Sequence, residues 1–161
     1  MRADAVITLR VVRDSDAEAM AEVYRRSVRG LGAKDYTPAQ VEAWASRGPD
    51  AARFRQKIAD GRKGWVALDP EGQVCGFVDL EADGHVDVLY VDPEQAGQGI
   101  AGRLLTEVER AARSAGLSRL YVEASETARP VFERRGYTMV TRRDFEIGSV
   151  AIHNYAMERT L

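Results

Sequence analysis

The sequence predicts a mixed α/β (α+β) domain in which helices flank a mostly antiparallel central sheet. Strand-like apolar runs and amphipathic helical patterns follow one another along the 161 residues. Two turn sequences, Asp69-Pro70-Glu71-Gly72 and Asp83-Gly84, precede the longest helical pattern. Because such turns join antiparallel neighbours, they indicate an antiparallel start to the sheet. The length and the 45% apolar content suit a single domain, residues 1–161, with a substantial core.

The N-terminal half begins with a β-rich run and continues with three helical segments and two strands. Asp14-Ser15-Asp16 offers caps for the first helix, and Gly30 and Gly32 mark its end. Thr37-Pro38 supplies the cap and the first-turn proline of the second helix. The predicted segments are a strand at residues 6–12, helices at 17–28, 37–48 and 51–58, and strands at 64–68 and 73–80.

The C-terminal half alternates strands with helices and closes with a hairpin. The first of these strands is an apolar run that ends at Asp92-Pro93, because proline cannot donate to a β-ladder. Gly136 marks the end of the last helix, and Gly148 marks the turn of the final hairpin. The predicted segments are strands at residues 86–91, 119–123, 137–143 and 150–157, and helices at 100–116 and 125–135.

The composition argues against several classes of function. A net charge of −2 and a pI of about 5.8 indicate no nucleic-acid partner, and no apolar run approaches the length of a membrane span. The first residues do not form a charged and apolar leader, so we expect a cytoplasmic protein. Cys75 is the single cysteine and lies in an apolar run, which predicts a core thiol. No Cys or His spacing predicts a metal site.

Three glycines, Gly97, Gly99 and Gly102, lie where the strand at 86–91 gives way to the long helical pattern. The first N–H groups of a helix have no intrahelical acceptor, and the helix dipole adds partial positive charge there. Glycine lets an anion approach the backbone without meeting a Cβ. The segment therefore predicts an anion site. An ordinary strand-to-helix connection, which is the simpler interpretation, needs fewer glycines.

The spacing Gly97-x-Gly99-x-x-Gly102 also matches the dinucleotide-binding fingerprint, and Glu123 lies about twenty residues further on. In that fingerprint the first glycine follows its strand almost directly, whereas residues 92–96 intervene here. Such a unit also usually opens its domain, whereas three strand-like runs precede this one. A nicotinamide-binding enzyme is therefore a distant alternative.

The glycine segment resembles the acetyl-CoA-binding motif of the GNAT superfamily of N-acetyltransferases. That motif has a strand ending in Val, a short turn with Pro, and Arg/Gln-x-x-Gly-x-Gly/Ala at the start of a helix. Val91, Gly99 and Ala101 fall in register. Ala96 occupies the Arg/Gln position, and Gln95 lies one residue early. The resemblance implies that acetyl-CoA is the co-substrate and that its pyrophosphate binds at Gly97, Gln98, Gly99, Ile100, Ala101 and Gly102.

A second stretch resembles the other GNAT signature, Ala-x-x-x-Tyr-Glu-x-x-Gly-Phe. Ala128, Glu133 and Gly136 match it, whereas Phe132 replaces its tyrosine and Tyr137 its phenylalanine. The order of the predicted elements is the GNAT order across essentially the whole chain, which implies two parallel strands that splay apart at the CoA site. The residues implied there are Leu89, Tyr90 and Val91 beside the pantetheine, and Ser125, Phe132 and Arg135 along the channel. Arg134 and Arg135 are candidates to meet a CoA phosphate, and a solvated helix face is the alternative for both.

His85 and Asp87 are the candidate proton acceptors. They alternate with Val86 and Val88, so in a regular strand both project from one face, which Leu89 shares. Transfer requires a neutral amine, and a base must take its proton. The resemblance places the base at His85, where imidazole suits the task without much change of pKa. Asp87 would orient His85, act as base itself or bind a cationic substrate. Surface positions on the strand are the simpler interpretation of both residues.

Phe132 cannot donate a proton to the departing thiolate, as a tyrosine does in many GNAT members. Tyr155 and His153 lie in the last predicted strand, which borders the acceptor site in that family. Tyr155 is therefore our candidate acid, and His153 a candidate substrate contact. Tyr36 and Trp44 lie in the early helices that cover the GNAT acceptor pocket, and we expect them to contact substrate. Packing of these aromatic residues in the core is the alternative.

The resemblance implies an acetyl-CoA-dependent N-acetyltransferase that acetylates a primary amine of a small molecule or peptide by direct transfer in a ternary complex. The ending His153-Asn154-Tyr155-Ala156-Met157 is similar to the YafP-like branch of bacterial members. We expect no metal, no nucleic-acid partner and no membrane, and family members often form homodimers. The alternative is a non-catalytic acyl-CoA-binding or sensor protein, because such a protein needs only the glycine loop.

Overall fold

The computed structural model describes residues 6–161; residues 1–5, which the single-domain prediction includes, lie outside this range. Its elements follow the predicted order. The elements are β1 (Thr8–Val11), α1 (Ala17–Leu31), α2 (Pro38–Arg47), α3 (Ala51–Ala59), β2 (Lys63–Leu68), β3 (Val74–Leu80), β4 (Leu89–Val91), α4 (Ile100–Ser114), β5 (Arg119–Ala124), α5 (Arg129–Arg134), β6 (Thr138–Ile147) and β7 (Val150–Thr160). Three short 3₁₀ turns lie between these elements, one before α1, one after α1 and one after β4.

Two antiparallel sheets meet at one short parallel contact. The first sheet has the strand order β1-β2-β3-β4 and the second β5-β7-β6. The Val86 N–H donates to the Tyr121 carbonyl at 2.9 Å, and the Tyr121 N–H donates to the Gly84 carbonyl at 3.1 Å. Beyond this contact no ladder joins β4 to β5 in the described residues. The fold prediction is confirmed: the sheets are mostly antiparallel, and the parallel pair splays apart.

Helices cover both faces of the sheets and enclose two cores. Helices α1, α2 and α3 pack on one face, where Phe54 and Phe77 meet edge to face at 5.3 Å between ring centroids. Helix α4 packs on the other face through Leu104 and Leu105, which are completely buried. Cys75 is buried in this second core, as expected of a core thiol. In the described part of the chain no helix is long and apolar enough to cross a membrane.

The predicted strand at residues 86–91 pairs regularly only from Leu89 onwards, and the expected alternation fails before that point. Val86 packs in the α4 core, whereas Val88 packs in the core under α1–α3, so these two residues lie on opposite faces. The cause is the buried Asp79, whose Oδ1 accepts the N–H groups of both Asp87 (3.0 Å) and Val88 (3.1 Å). Two successive amides on one acceptor form a bulge-like irregularity. The polar atoms of His85 and Asp87 nevertheless lie within 4.8 Å of each other, so these two side chains come together as predicted although the strand is irregular.

Several element ends also differ from the prediction, for local reasons. Helix α1 continues through Gly30, where a Cβ would lie 2.5 Å from the Pro93 side chain, so this glycine permits a close approach rather than ending the helix. Helix α5 begins at Arg129, because the preceding residues form turns in which the Ala128 N–H donates to Ser125 Oγ at 3.0 Å. Strand β6 is longer than predicted, since the hairpin pairing extends to Ile147↔Val150, and β7 is longer at its C-terminal end, where Thr160 pairs with Arg119 of β5.

Candidate functional site

Two cavities meet at the gap where β4 and β5 separate. The larger one, which we call the loop groove, has a volume of about 310 Å³ and runs along the glycine segment and the start of α4. The smaller one, which we call the inner pocket, has a volume of about 120 Å³ and lies under α2 and the β6–β7 hairpin. The cavities share five lining residues, which are Trp44, Leu89, Tyr90, Ser125 and Ala128. The arrangement therefore connects a groove on one side of the splay with a pocket on the other.

The glycine segment presents unbonded backbone N–H groups to the loop groove. Gly97 (φ +80°) and Gly99 (φ +76°) adopt left-handed backbone conformations, and a Cβ on either would meet nothing within 4 Å. The first backbone bond of α4 runs from the Arg103 N–H to the Gly99 carbonyl at 3.1 Å, which leaves the amides of residues 100–102 without an acceptor in the helix. Open space, free amides and a helix N-terminus fit a pyrophosphate.

The turn before this segment is anchored to α1. Asp92 is buried, and its Oδ1 accepts the Glu94 N–H at 3.0 Å and a bond from Arg26 at 3.2 Å. Pro93 packs against Gly30. Gln98 lies outside the groove lining and donates to Gln95 Oε1 at 3.1 Å, while Gln95 itself lines the groove. The loop is thus held by contacts that do not involve the Ala96 side chain.

Strand β4 offers backbone groups to the splay. The Val88 carbonyl and the Asp92 N–H bond to β3, at 3.2 and 2.8 Å. Because backbone groups alternate in an antiparallel pair, those of Leu89 and Val91 point away from β3. No strand of the described chain pairs with that edge of β4. An extended amide-containing chain such as pantetheine can therefore hydrogen-bond there.

The two arginines at the end of the loop groove differ in their surroundings. Arg135 donates to the buried Glu109 from Nη2 (2.6 Å) and Nε (3.3 Å) and to Thr106 Oγ1 at 2.8 Å, and Arg159 bonds the same glutamate. Arg134 also lines the groove but is exposed and has no bonding partner among the described residues. Arg135 also lines the groove, but its guanidinium is already hydrogen-bonded to Glu109.

Phe132 lines the inner pocket and is almost completely buried. Its ring packs edge to face with that of Tyr137, with centroids 4.9 Å apart. The Tyr137 hydroxyl is buried without a hydrogen-bond partner in the described chain. The position that holds a proton-donating tyrosine in many GNAT members is therefore apolar here. Ser125, the other predicted residue of this region, lines both cavities.

Asp87 lines the inner pocket, where its Oδ2 accepts bonds from two cations. Lys57 and Arg62 both donate to this oxygen, Arg62 at 2.8 Å. Burial raises the pKa of Asp87, but the hydrogen bonds from Lys57 and Arg62 outweigh burial and hold the pKa below its usual range. Asp87 is therefore an ionised carboxylate at neutral pH.

His85 lines neither cavity and is fully engaged by carboxylates. Its Nδ1 lies 2.7 Å from Glu81 Oε1, and its Nε2 lies 2.9 Å from Glu123 Oε1. The bond to Glu123, opposed by burial and aided by Glu81, raises the pKa of His85 to about 9. An imidazolium with both N–H groups donated has no lone pair for another proton, so the geometry does not support His85 as the base.

Glu123 is a residue of the inner pocket that was not predicted from the sequence as a site residue. It lines the inner pocket, and only its Oε1 is bonded, to His85. This bond lowers the pKa of Glu123, so the side chain is a carboxylate at neutral pH. Its position near the end of β5, where that strand separates from β4, is the signal that could have indicated it.

The predicted acceptor-site residues form a second polar cluster around Glu126. Glu126 Oε2 accepts bonds from Tyr155 (2.6 Å) and His153 (2.8 Å), and the Glu126 N–H donates to the Tyr36 hydroxyl at 2.8 Å. Tyr36, Trp44 and His153, which were predicted to contact substrate, line the inner pocket. Tyr155 lines neither cavity, and its hydroxyl proton is donated to Glu126. This bond raises the pKa of Tyr155, which makes the hydroxyl a weaker acid.

Comparisons with known proteins agree on one family. The family described as "Acetyltransferase (GNAT) domain" matches residues 32–159. The chain is 31% identical over 151 residues to YafP of Escherichia coli strain K12, described as an uncharacterised N-acetyltransferase, and the match covers 94% of each chain. It is similar to a GCN5-related N-acetyltransferase structure from Rhodopseudomonas palustris (32% identity, TM-score 0.87, 96% and 95% covered). It shares its fold with the Thermoplasma acidophilum PaiA N-acetyltransferase in complex with coenzyme A (20% identity, TM-score 0.78, 97% and 99% covered).

Proposed function

The chain belongs to the GNAT family of N-acetyltransferases, and from that premise we propose that it moves an acetyl group from acetyl-CoA to a primary amine of a small molecule or peptide. One observation carries the proposal. The loop groove, with its free amides, opens through the β4–β5 splay onto a pocket that contains two carboxylates. A donor bound on one side and an amine bound on the other would meet at the gap, as direct transfer in a ternary complex requires.

When bound, acetyl-CoA supplies the acetyl group as an activated thioester. The amides of residues 97–102 hold the pyrophosphate, and the Leu89 and Val91 backbone groups orient the pantetheine and polarise the thioester carbonyl. Asp87 and Glu123, rather than His85, take the proton of the attacking amine, directly or through water. Solvent supplies the proton of the departing thiolate, because a thiol pKa near 8.5 makes the thiolate a good leaving group.

A second candidate function is favoured by Phe132. Its ring stands where a proton donor is expected, and Tyr155 donates to Glu126 outside both cavities. A non-catalytic acyl-CoA-binding or sensor protein needs no proton donor and would keep the loop groove intact. We propose the cytoplasm as the location of either protein, since the free buried Cys75 suits a reducing compartment.

Calorimetric titration with acetyl-CoA tests the cofactor assignment, with NADH and dephospho-CoA for comparison. We expect saturable binding of acetyl-CoA and none of NADH. Release of the CoA thiol in the presence of a panel of primary amines then distinguishes an enzyme from a sensor. Binding without release for every amine would favour the sensor, and absence of acetyl-CoA binding would contradict both candidates.

A further inference from the structure

The inner pocket combines two carboxylates with aromatic rings, and its lining contains no lysine or arginine in the described residues. Asp87 and Glu123 supply the carboxylates, and hydrogen bonds from cations keep both ionised. Each keeps one oxygen, Asp87 Oδ1 and Glu123 Oε2, without a partner among the described residues. The pocket lining therefore offers two negatively charged acceptors and, as its one basic side chain among the described residues, His153, which bonds Glu126.

The neighbouring cations only partly balance this charge. Lys57 and Arg62 approach Asp87, and Arg62 also bonds Asp79 at 2.9 Å and Asp60 at 2.7 Å. His85 divides its two N–H groups between Glu123 and Glu81. On the far side of the pocket Glu126 accepts from His153, and the exposed Arg143 donates to Asn154 at 3.0 Å. Arg129 also lies 4.0 Å from Glu126, so the six acids of this set, which are Asp60, Asp79, Glu81, Asp87, Glu123 and Glu126, face five cations, which are Lys57, Arg62, His85, Arg129 and Arg143.

Aromatic rings form another wall of the pocket. Tyr36 and Trp44 meet edge to face with centroids 5.4 Å apart, and Trp44 lies 6.4 Å from Tyr90. Aromatic faces attract a cation, and tryptophan does so most strongly. An ammonium group in the pocket would thus find both carboxylate acceptors and ring faces.

We propose that the acceptor is a diamine, of which one amine is acetylated while the other stays protonated in the inner pocket. This inference rests on the proposed function and names its acceptor. A monoamine passes its only charge to one carboxylate as a proton, and the other carboxylate then faces a neutral amine, whereas a diamine keeps one ammonium beside that second carboxylate. An amine that carries a carboxylate would add a third negative charge.

The chemistry balances for either amine of the diamine. The reacting ammonium loses one proton to Asp87 or Glu123 before the attack. A C–N bond then forms as the C–S bond breaks, and the nitrogen loses a second proton. One of the two protons ends on the CoA thiolate and the other in solvent, while the distal ammonium keeps its own.

Three acceptors with the same four-carbon skeleton test the inference: 1,4-diaminobutane, butylamine and 4-aminobutyrate. They share an aminopropyl group and differ only in the fourth carbon, which is a protonated aminomethyl, a methyl or a carboxylate group. We expect kcat/KM, measured by thiol release, to be at least about 10-fold higher for the diamine than for butylamine, and lowest for the amino acid. An equal or reversed order, or no release with any of the three from protein that binds acetyl-CoA, would overturn the diamine proposal alone. A failed acetyl-CoA titration would overturn the proposed function and the diamine with it.

Variants then test the residues. Asp87→Asn and Glu123→Gln should each bring the diamine-to-butylamine ratio towards one. Both acceptors are measured on the same variant, so the loss of a proton acceptor lowers kcat/KM for both alike and cancels in the ratio. Asp144→Asn, an exposed carboxylate of β6 outside the pocket, should leave the ratio unchanged. Asp87→Asn deprives Lys57 and Arg62 of their shared partner. If this variant does not fold, Glu123→Gln alone tests the assignment of the carboxylates. An unchanged ratio in Glu123→Gln would contradict the assignment.

Discussion

The loop groove and the inner pocket are made in different ways. The groove depends on the backbone of one contiguous segment, residues 97–102, whose glycines leave amides free and space open. The pocket depends on side chains from distant parts of the chain, with Trp44 from α2, Asp87 from before β4, Glu123 from β5 and His153 from β7. One cavity is therefore local in sequence, and the other is assembled by the fold.

This difference determines which changes each cavity tolerates. A backbone site survives side-chain replacements, so the departure at Ala96 leaves the amides of the groove in place. A side-chain site depends on the ion pairs that hold its members, and Asp87 and Glu123 each rely on cations outside the pocket. Mutations should therefore act on the groove through backbone conformation and on the pocket through charge.

The largest effect should come from Gly99→Val. A β-branched residue at φ +76° is strained by about 1–2 kcal/mol, and its side chain would enter the groove where phosphate oxygens approach. We expect the Kd for acetyl-CoA to rise by at least about 100-fold, measured by calorimetry.

Gly61→Val is the matched control for this prediction. Gly61 also has a positive φ, +94°, and open space around its Cβ, but it lies outside both cavities. This variant should lose a similar amount of stability and keep its affinity for acetyl-CoA. Equal loss of affinity in both variants would show that strain, and not access to the groove, explains Gly99→Val.

The second prediction concerns the charge network behind the inner pocket. The pKa of His85 is about 9 in the folded protein against 6.5 for an ordinary histidine. Between these values the folded state binds more protons than the unfolded state, so stability falls as pH rises. The contribution is fully present below about pH 6.5 and is lost above about pH 9, and it amounts to at most about 3 kcal/mol.

Urea unfolding at about pH 6 and about pH 9.5 measures this loss. His85→Gln keeps a hydrogen-bonding side chain without a titrating ring, and it should remove most of the difference in unfolding free energy between the two pH values. A variant that retains the full difference would place the titrating group elsewhere and would weaken the case that His85 holds Glu123 in its charged form.

The contrast between the cavities also explains what could be read from the sequence. The order of elements follows from local signals, namely apolar periodicity, turn sequences and caps, and this prediction is confirmed. The glycine loop was recognised from signals of the same local kind. The Thr37 cap is one example, since its side chain accepts the Gln40 N–H as predicted for a helix start. Signals of this kind depend on neighbouring residues only.

The side chains of the inner pocket could not be read in the same way. Regular alternation fails between Val86 and Val88 because Asp79, on another strand, accepts two successive amides, although the side chains of His85 and Asp87 still come together. Glu123 was noted only for its distance from the glycine segment and not as a pocket residue, because its partner His85 is 38 residues away in sequence. Contacts between distant residues decide these positions, and no local pattern encodes them.

The smallest effect should come from the two arginines of the loop groove, and it should differ between them. An arginine here can add a side-chain contact to a site that is otherwise made by the backbone. Arg134 is exposed and has no hydrogen-bond partner in the described chain, so its guanidinium can contact the phosphate of CoA that dephospho-CoA lacks. We expect Arg134→Ala to raise the Kd for acetyl-CoA by about 5-fold at low salt and to have little effect on dephospho-CoA.

Arg135→Ala should show the opposite behaviour, because its guanidinium bonds the buried Glu109. Arg159 remains as a partner of that glutamate, so we expect a loss of about 1–2 kcal/mol in unfolding free energy and a change in affinity below about 2-fold. Arg110→Ala removes an exposed charge of α4 outside the groove and should change neither quantity. A loss of acetyl-CoA affinity in Arg135→Ala but not in Arg134→Ala would reverse the two roles, and Arg135 would then have to leave Glu109 to reach the phosphate.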